Sequence, residues 1–156
     1  MHRLSTLRFT RLGRVIVLVH GKAPPSGPDW TKYLETAWSY DAVVPDIRTL
    51  VLTDGGGPDT LQRGSLTTRV QRYGPGASAV VSGTRKVRLT VTALSWFFSN
   101  IKFFGPDELT RALGFLELEE KEQSRAIDAA LHLLGDGLEF DWKPRLLATK
   151  QARAEA

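Results

Sequence analysis

The chain contains no cysteine. Disulfides, thiolate nucleophiles and cysteine-based zinc sites are therefore excluded, which is compatible with a reducing compartment. Histidine is scarce as well: His2, His20 and His132 are all there is. No His-x-x-x-His or Glu-x-x-His spacing occurs, so no metal site and no cofactor are expected. No apolar run approaches the roughly 20 residues that span a bilayer. The run "VIVLV" at 15–19 is far shorter and reads as a strand. The basic N-terminal stretch "MHRLSTLRFTRLGR" is not followed by a signal-type apolar stretch and a small-residue cleavage site. The expectation is a cytoplasmic protein without membrane insertion.

What is present is ordinary for a globular chain of 156 residues, with 42% hydrophobic and 24% charged side chains. This length suits one domain. The formal net charge is +4, and a basic balance raises nucleic-acid binding. The cations are scattered, however, in sets such as Arg3, Arg8, Arg11 and Arg14, or Arg85, Lys86 and Arg88. Aromatic residues do not interleave with them as a base-stacking surface requires. Solvated arginine is the simpler reading, and nucleic acid is not an expected partner.

Leu7 to Thr10 alternates apolar and polar residues, and "RVIVLV" at Arg14–Val19 is a continuous β-branched run. Together they predict a hairpin whose second strand is buried on both faces. "HGKAPPSGPDW" is a loop, with Ser26 or Asp29 available to cap the next helix. That helix is predicted over Asp29–Tyr40, with Trp30, Tyr33, Leu34, Ala37 and Trp38 on one face. Asp41 to Asp46 is a connection. Ile47 to Thr53 is a second central strand. A helix is predicted over Pro58–Arg72, its apolar side formed by Leu61, Ser65, Leu66 and Val70. "YGPG" at Tyr73–Gly76 ends it.

Ala77 to Ser82 is the next strand. A helix capped by Ser82 or Thr84 follows and reaches Phe98, with a stripe of Val87, Val91, Leu94 and Phe98. Two of Trp96, Phe97 and Phe98 are easily buried there; the third is either a contact residue or covered by the C-terminal tail. Ile101 to Phe104 is a short strand. Helices are predicted from the segment "GPDELTRALGFLEL" and over Glu119–Leu134. The first turns Leu109, Leu113 and Leu116 inward; the second turns in Ile127, Ala130, Leu131 and Leu134. The alternation predicts an α/β fold with a mainly parallel sheet, an antiparallel N-terminal hairpin and an extra C-terminal helix. One domain is expected over 1–137. Residues 138–156 are expected as a tail that packs back through Phe140 and Trp142 before a polar, partly disordered end.

Catalytic constellations are missing. His20 ends a buried strand, where ligands gather in α/β folds, but no G-x-S-x-G elbow accompanies it. The stretch "LVLTDGGGPDT", Leu50 to Thr60, is the best remaining site. It joins a central strand to a helix, where backbone N–H groups and the helix dipole can hold an anion. It is neither a Walker sequence nor a G-x-G-x-x-G fingerprint, and its glycines also suit a tight turn. The candidate binding residues are Asp54, Gly55, Gly56, Gly57, Asp59, Thr60 and Arg63.

The order of elements over Ser5 to Leu118, and "PDIRTLVLTDGGGP" in particular, resembles the STAS domains. These are the SpoIIAA-like fold typified by bacterial anti-sigma factor antagonists, and the chain looks like a divergent bacterial branch. In that family the loop after this strand carries an Asp-x-Ser-Gly motif whose serine is phosphorylated to switch partner binding. Here Gly55 or Gly56 takes the serine's place; Thr53 and Thr60 lie out of register. The resemblance implies a non-enzymatic regulatory domain that binds a protein through the glycine loop and the next helix. That partner is an unidentified protein or a second copy forming a homodimer. A second reading is a small-molecule or nucleotide binder with an anionic group at Gly55–Gly57, where His20, Asp54 and Ser82 converge. The first reading predicts a flat surface and the second a concave pocket.

Overall fold

The computed structural model describes residues 6–37, 47–73, 76–96, 98, 100–135, 138 and 140–156. Strands β1 (Leu7–Leu12) and β2 (Val15–His20) form the expected hairpin. Its two-residue loop uses Gly13 at φ +62°, the left-handed conformation that such turns need. Helix α1 (Gly27–Ala37) leads to β3 (Arg48–Thr53), and α2 (Thr60–Tyr73) to β4 (Ala77–Val81). Helix α3 (Arg85–Ser95) precedes β5 (Ile101–Phe104). A single 3-10 turn at Pro106–Glu108 opens α4 (Leu109–Phe115), followed by α5 (Glu120–Leu134) and α6 (Lys143–Ala154). The expected connection at 41–46, the helix end at 38–40 and Phe97 lie outside the described residues.

The sheet order is β1-β2-β3-β4-β5; β1 is antiparallel to β2 and every other pairing is parallel. Side chains alternate between the two sheet faces. On one face Val15, Val17, Val19, Leu50, Leu52 and Val81 meet α4, α5 and α6 in one continuous apolar cluster. On the other face the packing is divided. Leu7, Ile16 and Leu18 meet α1 through Trp30, Tyr33 and Leu34. Val80 meets α3 through Val87 and Val91. Between these two smaller clusters lies α2.

Three sequence expectations need correction. Helix α2 starts at Thr60 rather than Pro58, because Asp59 caps it. Its apolar side is also different: Leu61 is 84% exposed while Gln62 is buried. Helix α3 ends at Ser95, three residues short of Phe98, and leaves Trp96 78% exposed. Phe140 and Trp142 are buried as expected, but where a frayed end was expected to follow, Lys143–Ala154 forms α6 and buries Leu146. The helical period of α6 is faint because Leu146 is its single buried residue among those described. The anchors precede it in sequence.

Candidate functional site

The glycine loop is built first from its own demands. Gly55 takes φ +115°, which side chains rarely adopt. Gly56 donates its N–H to the Gly21 carbonyl at 2.8 Å. A Cβ there would overlap the carbonyl oxygens of Gly21 and Ala23. Gly57 has open space around it. The Thr53 hydroxyl, 2% exposed as a residue, donates to the Gly56 carbonyl and accepts from Gly55 N–H at 3.2 Å. The first two glycines therefore serve the turn.

The helix start behind the loop is likewise closed by the chain itself. The Asp59 carboxylate accepts from Gln62 N–H at 2.8 Å, and the Gln62 side-chain carbonyl accepts from Asp59 N–H at 2.9 Å. This reciprocal box occupies the place an external anion would take. Arg63 donates to the Pro58 carbonyl and to the Thr60 hydroxyl, both at 3.1 Å. Asp54 turns the other way. Its carboxylate accepts from Asp141 N–H at 2.8 Å, with Lys22 Nζ 4.0 Å from the same oxygen.

Beside the loop lies a cavity of about 520 Å³ between the sheet and α1, α2 and α3. Its floor is Ile16, Leu18 and His20 of β2, Thr49 and Val51 of β3, and Ser78 and Val80 of β4. Trp30 and Tyr33 form one wall, Leu66 and Val70 the roof, and Val87, Val91 and Leu94 the opposite wall. Gly55, Gly56, Gly57, Asp59, Thr60 and Arg63 line the end nearest the loop, with Lys22 and Lys86. The space exists for a sequence reason. Helix α2, "TLQRGSLTTRVQRY", offers the sheet little more than Leu66 and Val70. Its firm attachments run to α1 instead: Gln62 Nε2 donates to the Pro25 carbonyl at 2.8 Å, and Trp30 Nε1 donates to the Gln62 carbonyl at 3.2 Å. Small Thr49 and Ser78 beneath it do not fill the gap.

His20 stands where this apolar floor reaches its polar end. It is 2% exposed, and its Nδ1 has no hydrogen-bond partner among the described residues. Burial lowers its pKa from 6.5 to about 4, so the ring is neutral at neutral pH. Burial likewise pushes the Tyr33 phenol well above its usual range. The expected convergence of His20, Asp54 and Ser82 does not form. His20 pairs with Thr53 across the sheet, so Asp54, one residue on, faces away. Ser82 instead takes Thr84 N–H at 3.2 Å, at the start of α3. His20 alone of the three lines the cavity. Its parity with Ile16 and Leu18 was the signal in the sequence.

Among the described residues no group of three or more His, Asp or Glu is placed to hold a metal ion. No helix among them is long and apolar enough to cross a membrane. No family model matches the chain, and neither a curated protein nor a solved structure gives a significant match.

Proposed function

We propose that the chain binds a small, mostly apolar molecule in the cavity between the sheet and α1–α3. The observation that carries this reading is the cavity itself, about 520 Å³ with aliphatic and aromatic walls and its charged groups gathered toward the glycine loop and the start of α3. That size and composition are those of ligand pockets, which run roughly 300–1,000 Å³. The chemistry on hand is recognition. His20 is neutral, and Ser82, which does not line the space, is committed to Thr84. A non-enzymatic role, as the sequence suggested, goes with this reading.

The test is titration with a neutral fluorophore, 1-aminoanthracene, whose emission rises in apolar surroundings. Wild type should bind it. Val51→Phe, which places an aromatic ring on the cavity floor, should bind it at least about tenfold more weakly while keeping the wild-type circular dichroism. No binding by wild type, or equal binding by both, would remove the proposal.

A second reading keeps the regulatory, protein-binding role that the STAS resemblance implies. One observation favours it: Leu61, at the first turn of α2 beside the glycine loop, is 84% exposed. Leu61→Asp is the clean probe, because Gly55 and Gly56 are needed by the turn. Under this reading Leu61→Asp abolishes capture of a specific protein, or dissociates a homodimer, and leaves fluorophore binding intact.

A further inference from the structure

We infer that His20 is the cavity's contact for a ligand head group, and that the ligand is an apolar molecule ending in a single carboxyl group. This rests on the cavity reading above. An unpartnered imidazole nitrogen deep in an apolar site is costly unless something fills its hydrogen-bonding capacity. Nδ1 of His20 is such an atom. Among the described residues it borders, Thr53 has both functions of its hydroxyl engaged within the loop. A bound molecule whose polar end reaches the floor between β2 and β3 would satisfy the ring.

The nature of that polar end follows from what surrounds it. A phosphate wants several donors at once, commonly a helix N-terminus or paired arginines. Here the helix N-terminus is filled by Asp59, and Arg63 is held by Pro58 and Thr60. One carboxyl group needs only one or two bonds. The charged and titratable groups lining the same cavity are Lys22 from the β2–α1 loop, Tyr33 from α1, Asp59 and Arg63 from α2, and Lys86 from α3. Lys22 is engaged by the carboxylates of Asp141 at 3.0 Å and Asp54 at 4.0 Å, so Arg63 and Lys86 against Asp59 leave a modest positive balance, which favours an acid over an alcohol of equal length.

The proton balance follows from the tautomer we assign: with the ring proton of neutral His20 on Nε2, the bare Nδ1 can only accept. It therefore bonds the protonated acid, and a carboxylate arriving from neutral solution must take up one proton to bind. Affinity should fall about tenfold per pH unit as pH rises past neutrality. A carboxylate that stops at Lys86 on the rim needs no such proton, and its affinity would be flat.

The experiment displaces 1-aminoanthracene with dodecanoic acid and with dodecan-1-ol, from about pH 6 to about pH 8. The proteins are wild type, His20→Leu, His20→Gln and Lys86→Gln. The ring signals of His20 are followed by NMR and assigned by their loss in either His20 variant. The expected result has the acid binding wild type with the stated pH slope while shifting the His20 signals, and the alcohol insensitive to pH. His20→Leu should keep the fluorophore and lose about 10-fold to 100-fold in acid affinity. His20→Gln, whose side-chain carbonyl can still accept, should recover part of it and serves if the leucine variant misfolds. Unmoved His20 signals, or acid binding that survives in His20→Leu and fails in Lys86→Gln, overturn the inference while leaving the cavity reading intact. Failure of wild type to take up the fluorophore removes both.

Discussion

The carboxylate of Asp54 accepts the backbone N–H of Asp141 at 2.8 Å, across 87 positions of sequence. The next residue, Trp142, donates its indole N–H to the Thr53 carbonyl at 3.2 Å. The end of β3 thus has two duties. Thr53 faces the cavity, while Asp54 and the Thr53 carbonyl hold the C-terminal segment against the other side of the sheet.

Asp54→Ala should therefore loosen α6 without emptying the cavity. The expected cost is about 1–3 kcal/mol, because a buried acceptor and its charge-assisted bond are removed. Urea unfolding gives the stability change, and amide exchange across Lys143–Ala154 gives its location. Undiminished protection of α6 in the variant would show that the bond does not hold the segment.

The glycines should separate. Gly56→Ala forces a methyl group into the Gly21 and Ala23 carbonyls and should destabilise by about 2 kcal/mol or more. Gly57→Ala meets open space. It should be close to neutral, or stabilising by about 0.5 kcal/mol through a less flexible unfolded chain. Equal losses in thermal melts of the two variants would contradict the turn described above.

His20 should leave a mark on acid stability. Its folded pKa, about 4, lies below the ordinary 6.5. Between those values the unfolded chain binds a proton that the folded chain does not. Stability should therefore fall as pH drops from 6.5 toward 4 and level off below. In His20→Leu that part of the decline should be absent. Parallel pH profiles for the two proteins would rule out a buried, neutral ring.

Glu122 should act in a lower window. Two hydrogen bonds of 2.9 Å from Arg14, then the Glu119 N–H at 3.0 Å, lower its pKa from 4.5 to about 2. The depressed value means that its contribution is complete above 4.5 and lost as pH falls toward 2. Wild type should exceed Glu122→Gln in stability at neutral pH. The gap should close across that range and narrow in high salt, since the pair is partly exposed. A gap that persists at the acid end would assign the effect to packing.

The sheet was the legible part of this chain. "VIVLV" is an apolar run and "IKFF" a mostly apolar one, both too short for helices, and the parallel alternation follows from the spacing of such segments. Helix α2 was harder because its apolar pattern is weak: Leu61 was read onto the same side as Leu66 and Val70, whereas it is exposed and only the latter two line the cavity. The glycine loop was found in sequence, but whether its N–H groups were free depended on Asp59 and Gln62, which only the fold brings into register. The cavity was illegible because it is a shortage of side chains across three strands and three helices. No one segment records it.

The tie between Gln62 and α1 has a mechanical side. Helix α2 is pinned at its first turn, through Gln62 to Pro25 and to Trp30, whereas Leu66 and Val70 further along merely roof the space. Anchored there and joined within a few residues to β4, the helix is set as a lintel over the sheet, and the space beneath it is a span that its short side chains leave open.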